Sequence, residues 1–471
     1  MMVTRSTRCG GSKQALDRRG QGQAFASLLA LILLAVMAAL AVVFAAASNL
    51  SLRTSHSHNN ATQARLLAES GLAYTLKTLQ PLRLPGTTDE QTFAPNLSSA
   101  LGEKLNGTPN LSGQPVTVSG SSVLVPPIAI GEGQFTTAVA WLDASTSQLT
   151  VAGSSQGASQ RVRMHLALVS RRPSALDYGL ASRGQILISG NARIVGVNSP
   201  EEASVVSATA THTDAIVLSG NSEVSGDVYA SGDTAGVAMT GSPSVGGSTD
   251  PNVIAQHVHL GVEAPDCPEI DVTPIAVLAT TELSESNPSG ASYSNIRIAA
   301  GTNPTFGGEV TLNGVIYVEA PNVVRFGGQT TINGLIVTQA SDYPLSDCQI
   351  SFGGGVRAYG VEVLPDTPEF TEVKTLTGTF IAAPGFGLTF SGRFGAVNGS
   401  IAADQLTFAG TAEGVVRGSV LGLKDLPCSL GGNVEIYVDM LNADPHPAGF
   451  VPSLALVPIP ATYVELKGGQ P

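Results

Sequence analysis

Charge is what this chain has least of. Only 13% of its 471 residues are Asp, Glu, Lys or Arg, about half the share of an ordinary soluble domain. Aromatics are 5%, with a single Trp, and there are four Cys. The 24 Lys and Arg stand against 36 Asp and Glu, a net charge of −12. A chain this acidic and poor in cations excludes nucleic acid as a partner, because phosphate neutralisation needs clustered Lys and Arg. No C-x-x-C pair exists, which removes the commonest zinc and dithiol spacings. What is abundant is Gly, at 53 residues, beside Val, Ile and Leu. That excludes a low-complexity disordered chain and points to a mainly β protein broken by many turns.

The charge is unevenly placed. Residues 1–23 hold five cations (Arg5, Arg8, Lys13, Arg18, Arg19) against Asp17, a balance of +4, so the remainder carries −16. Ala24–Ala47 follows, with Ser27 as its one polar residue. As a helix its 24 residues span about 36 Å, enough to cross a bilayer. The basic flank places the N-terminus in the cytoplasm and the acidic body outside it, across the inner membrane. Residues 48–79 contain no Pro and only Gly71, and Ala64, Leu67, Ala68, Gly71, Leu72, Leu76 and Leu79 form a helical stripe. The spacing predicts one helix over 23–80, membrane-spanning at 24–47, which stops at Pro81. A cleaved signal ending at Ala47 is the competing reading, and the apolar run is longer than a signal core.

This region resembles the N-terminus of type IV pilin-like proteins, in particular PilX-type minor pilins and pseudopilins. The residues that carry the resemblance are Arg18-Arg19-Gly20-Gln21-Gly22, the charge-free run, and Ala68-Glu69-Ser70-Gly71-Leu72. It implies a basic cytoplasmic leader, 1–22, removed by a prepilin peptidase after Gly20 or Gly22, and a helix retained to pack with other pilin-like subunits. Major pilins carry a glutamate at the fifth mature position. Here that residue is Phe25 or Ser27, which fits a minor or accessory subunit.

Residues 81–175 read as a Pro/Ser/Gly-rich linker followed by a small antiparallel meander, with strands near 134–142, 148–153 and 160–169. Repeats occupy 176–423. Ser189-Gly190-Asn191 returns as Ser219-Gly220-Asn221, and Phe306-Gly307-Gly308 as Phe326-Gly327-Gly328 and Phe352-Gly353-Gly354. Gly314, Gly334, Gly360, Gly378, Gly399 and Gly418 mark copies at intervals of 20, 26, 18, 21 and 19. Short β-branched runs at that period predict a right-handed parallel β-helix, interrupted near 263–290. Residues 424–471 are expected to cap its last turn.

Candidate chemistry is sparse. Gly153-Ser154-Ser155-Gln156-Gly157 matches G-x-S-x-G, but a strand follows where a nucleophile elbow needs a helix, so it reads as a hairpin turn. His257 and His259 share one strand face, and a metal there would draw on Asp266 or Glu269. Cys9 is cytoplasmic. Of the three others, Cys348 and Cys428 form the candidate disulfide, joining a corner loop to the cap. Polysaccharide lyases and hydrolases use β-helices with clustered carboxylates. Arg325, Arg393 and Arg417 lie beside apolar strands here, but no acids repeat at the 20-residue register of 290–425.

The sequence therefore predicts a membrane-anchored, pilin-like minor or accessory subunit of a type IV pilus or type II secretion-like system. Its β-helix would be periplasmic or extracellular, for assembly or adhesion. No catalytic residue, metal or cofactor is expected. The expected partners are the lipid bilayer, other pilin-like subunits, the prepilin peptidase and, as a further candidate, surface polysaccharide. The alternative is a membrane-tethered polysaccharide-active or polysaccharide-binding protein.

Overall fold

A computed structural model describes residues 14–288 and 292–466, with side chains from Ser27 onward. Helix α1, Gln14–Leu79, runs without a break. It leads into a seven-stranded antiparallel sheet. Strands β1 (Arg83–Leu84) and β2 (Thr117–Ser119) belong to it, and β3 (Ser122–Ile130), β4 (Gly133–Asp143), β5 (Thr146–Ser155) and β6 (Ala158–Arg171) form its meander. The expected linker before it is folded. A second helix, α2 (Phe93–Leu105), buries Phe93, Ala94, Leu97, Leu101 and Leu105 on the same core. Its i, i+4 apolar spacing was the available signal, obscured by the Pro and Gly around it.

The rest of the chain, up to the final strand, is mainly parallel. Three ladders are visited in fixed order: Leu180–Ser182, then Ile186–Gly190, then Arg193–Gly196. Each pairs in parallel with the next copy, Leu180 with Val205, Ile186 with Ile216 and Arg193 with Glu223. The rungs build outward to Val258–Val262. The chain then crosses to the opposite end through the segment expected as an interruption. It builds back from Thr281–Leu283, in register steps such as Gly314 with Gly334.

One expected interval is not a rung. Between Gly360 and Gly378 the chain makes three short 3-10 turns, at 361–363, 368–370 and 373–375. These turns, with Val272, Ile275 and Phe450, cover the outer side of the first ladder at Val315, Leu335, Ala382, Ala402 and Leu421. That ladder is thus buried on both faces, which explains its unalternating apolar runs.

The stretch expected to cap the stack instead closes it. Val420–Gly422, Cys428–Gly432 and Glu435–Val438 pair in parallel with the first rung: Val420 with Leu180, Cys428 with Ile186 and Glu435 with Arg193. The last rung built therefore lies against the first. Asn191 bonds Asn433 at 2.9 Å across this seam; on the other side of the first rung it bonds Asn221 at 3.2 Å, and Arg193 bonds Glu223 at 2.8 Å. The chain leaves beside its point of entry. The C-terminal strand Ser453–Leu466 then returns to the antiparallel sheet, between β6 and Arg83–Leu84.

Two columns run through the stack. Phe306, Phe326, Phe352, Phe390 and Phe408 stack at 5.0, 4.8, 4.7 and 5.0 Å between centroids. All are buried, as parallel rungs about 4.8 Å apart require of identical inward residues. A corner column of glycines passes through the seam as Gly410, Gly432, Gly190, Gly220 and Gly241, each with positive φ. A Cβ on Gly190 would lie 2.9 Å from Gly432 O.

Gly190→Val should therefore cost about 2–4 kcal/mol, from the disfavoured left-handed backbone and overpacking. The check is a lowered urea midpoint of the detergent-solubilised full chain.

Candidate functional site

The candidate site is α1 and its seat. From Ser27 the helix is exposed until it meets the antiparallel sheet. It is long and apolar enough to cross a membrane, and none of its most apolar window is buried within the chain. One apolar N-terminal helix of this kind is compatible with a single-pass anchor. Gly20 and Gly22 lie in the part of α1 where only the backbone course is described. Cys9 lies outside the described residues.

The helix enters the sheet at Ala64, about 25 Å beyond Ala47 at 1.5 Å per residue. The intervening residues include His56 and His58, both exposed. The seat is made of small residues on both sides. A Cβ on Gly153 would lie 2.2 Å from Ala64 O and 2.4 Å from Ala68 N. On the helix, a Cβ on Gly71 would lie 2.5 Å from the Phe135 ring and 2.8 Å from Val151. Thr75 Oγ1 and Thr137 Oγ1 are 3.1 Å apart beneath it. Small side chains here permit close approach of backbone to backbone.

This places the pilin-like motif residue by residue. Ala68, Gly71 and Leu72 are buried against the sheet. Glu69 points outward and accepts a 3.0 Å hydrogen bond from Arg65 Nε, while Ser70 is exposed. Arg65 also holds Glu465 at 2.7 Å, so the C-terminal strand is tied to the helix. The G-x-S-x-G match is part of the same seat. Gly153 receives the helix, Ser155 Oγ donates to Gln63 Oε1 at 2.9 Å, and Gln156 and Gly157 form the positive-φ hairpin turn between β5 and β6. The sequence signal for Gly153 was present, but a glycine in a strand does not announce what approaches it.

The other candidates separate. Cys348 and Cys428 are buried free thiols. Cys428 pairs with Leu406, Leu406 with Leu388, and Leu388 with Ile350. That puts the two cysteines three rungs apart, about 14 Å, beyond disulfide reach. The candidate disulfide is therefore not formed: both residues are inward core positions, not loop positions. Burial pushes the Cys428 thiol up to about 12.

His257 and His259 do share a face, and they converge on Asp227, at 2.7 and 3.1 Å from its two oxygens. Tyr229 OH adds a 3.1 Å bond to the same carboxylate. Burial raises the Asp227 carboxyl and these bonds outweigh it, so the group lies below its ordinary value. Asp266 and Glu269 are not in that cluster. Asp266 N bonds Ser174, and Glu269 accepts from Thr87. No group of three or more His, Cys, Asp or Glu side chains among the described residues is arranged to hold a metal ion. Acids do stand in register on the third ladder, Glu413 beside Glu435. Arg393 and Arg193 pair with that column, at 2.8 Å to Glu413 and 3.9 Å to Glu435.

No family model matches the chain, and no curated protein matches it. Among solved structures it is similar to the competence-associated pilin ComZ from Thermus thermophilus. The identity is 13%, over 87% of this chain and 96% of that one, with a TM-score of 0.26.

Two predictions follow from this geometry. Gly153→Val should unseat α1, because backbone atoms stand where the side chain would go; hydrogen exchange of 64–79 should rise sharply. Glu69→Ala, which alters only an exposed pair, should leave it unchanged.

The second concerns pH. Burial raises the carboxyls of Asp266 and Asp404, partly offset for Asp266 by a Ser453 bond and nearby arginines. The folded state then holds protons that the unfolded chain releases near pH 4. Stability falls as pH rises through the folded values. Asp404→Asn should raise the melting temperature at pH 7, with the gain vanishing below pH 4.

Proposed function

We propose that this chain is a membrane-anchored, pilin-like minor or accessory subunit that displays its parallel stack outside the inner membrane. The observation that carries the reading is the division of one helix. Its apolar first half is left wholly uncovered by the chain, and its second half is seated through Ala64, Ala68 and Gly71. An uncovered apolar helix needs lipid or other apolar helices around it. A helix seated by small residues on a sheet sets the head at a fixed place above the membrane.

In this reading the stack is a right-handed parallel β-helix. The repeated three-ladder order and the glycine and phenylalanine columns support it. The bilayer, other pilin-like helices and a prepilin peptidase are the partners, in a type IV pilus or type II secretion-like system. The head serves assembly or adhesion and is not an enzyme. The missing glutamate at Phe25 or Ser27 favours an accessory place over bulk filament.

N-terminal sequencing of the membrane-associated protein tests it. A first residue of Gln21 or Gln23 is expected, and Gly20→Ala with Gly22→Ala should retain the leader. A start at Ser48 overturns the reading, and an intact Met1 removes processing from it.

A further inference from the structure

The third ladder is interrupted at one place in the middle of the stack. Val356–Tyr359 pairs with 330–333 on one side. Arg393–Asn398 pairs with Glu413–Arg417 on its other side and forms the edge of a separate sheet. In the chain between them lies the excursion of 3-10 turns. The two strands thus lie side by side with a gap in the ladder. A Cβ on Gly395 would still be 3.8 Å from Val356 O, so the floor of the break is made of a small residue.

A cavity opens at each end of the break. One, of about 500 Å³, is lined by Thr311, Gln329, Thr331, Arg357 and Arg393. The other, of about 540 Å³, is lined by Glu362, Thr377, Asn398, Arg417 and Asp444. Arg393 and Asn398 are five residues apart on one strand, about 16 Å. Tyr359 ends the strand that carries Arg357. It alternates with buried Ala358, so it shares the outward face of Arg357, and it is 46% exposed.

The chemistry of this break is that of a hydroxylated ligand without net charge. Arg393 is already matched by Glu413 at 2.8 Å, and Arg417 by Asp439 at 3.7 Å. The further acids Glu309, Glu362 and Asp444 would repel an anionic polymer. Sugar hydroxyls donate to carboxylates and accept from guanidinium and amide groups, so each of these side chains has a use. The C–H face of a hexose packs on an exposed tyrosine ring, which offers a large flat surface at low entropic cost. A face of 16 Å flanked by two polar cavities suits several linked units rather than one.

We propose that the break binds a chain of neutral hexoses, Tyr359 being the platform and Arg357 a hydroxyl ligand at its edge. This rests on the reading that the stack is displayed outside the membrane, and it assigns that display a ligand class.

The test uses the full chain in lipid nanodiscs, titrated calorimetrically with cellohexaose, maltohexaose and mannohexaose, and with polygalacturonate as the anionic probe. Saturable binding of a neutral hexamer is expected. Tyr359→Ala and Arg357→Ala should each weaken it about tenfold or more, at an unchanged melting temperature. Tyr343→Ala, exposed elsewhere, should not. No binding by any neutral hexamer, binding of polygalacturonate alone, or binding indifferent to both substitutions overturns the proposal. N-terminal sequencing of the same sample reads the anchoring and processing separately, so failure of the ligand and failure of the pilin-like reading are told apart.

Discussion

The pairing of the last rung on the first is the contact from which the rest of the architecture follows. Two halves of a parallel stack, one built outward from a common seam and the other built back toward it, share one core and one glycine corner there. The seam puts the exit of the stack beside its entrance. Only for that reason does the C-terminal strand reach the antiparallel sheet and complete it beside β6. The stack is in effect an insertion into the head that carries the helix. Parallel rungs tolerate such a junction because each strand offers the same slanted hydrogen bonds on both edges, whichever copy supplies the neighbour.

The completed sheet in turn decides how α1 leaves it. Small residues are concentrated where helix and sheet meet, at Ala64, Ala68 and Gly71 on one side and Gly153 on the other. Close approach removes water from both backbones and leaves the longer neighbours, Leu72 and Phe135, to fill the flanks. Arg65 reaches Glu465, so the end of the described chain is tied to the seated half of α1. The apolar half of α1 takes no part in this packing.

Low charge has a matching logic in the stack. Inward positions repeat at every rung, and a charge there would have to be buried many times over. Charges stand mostly in outward columns, such as Arg393, Glu413, Glu435, Arg193 and Glu223, and in loops, with the buried Asp404 an exception. Where the third ladder breaks, paired ladder side chains give way to cavities lined by amide, hydroxyl and ionic groups. A break is where a regular surface gains the concavity that recognition needs.

The long helix was legible because its apolar run has no internal competitor. The period of the repeats was legible because Gly190 and Gly220, or Phe326 and Phe352, meet their own kind one rung away. The meander showed in its alternation. The order in which rungs were built was not legible. Nothing in Val420–Gly422 or Glu435–Val438 says that their neighbours lie some 240 residues earlier, since strand edges are alike and carry no address. Cys348 and Cys428 looked like loop residues for the same reason, and were core. Local period and composition are properties of the sequence by itself. The seam, the completed sheet and the break depend on which distant edges meet, and the tertiary fold alone decides that, because backbone hydrogen bonds do not distinguish their partners.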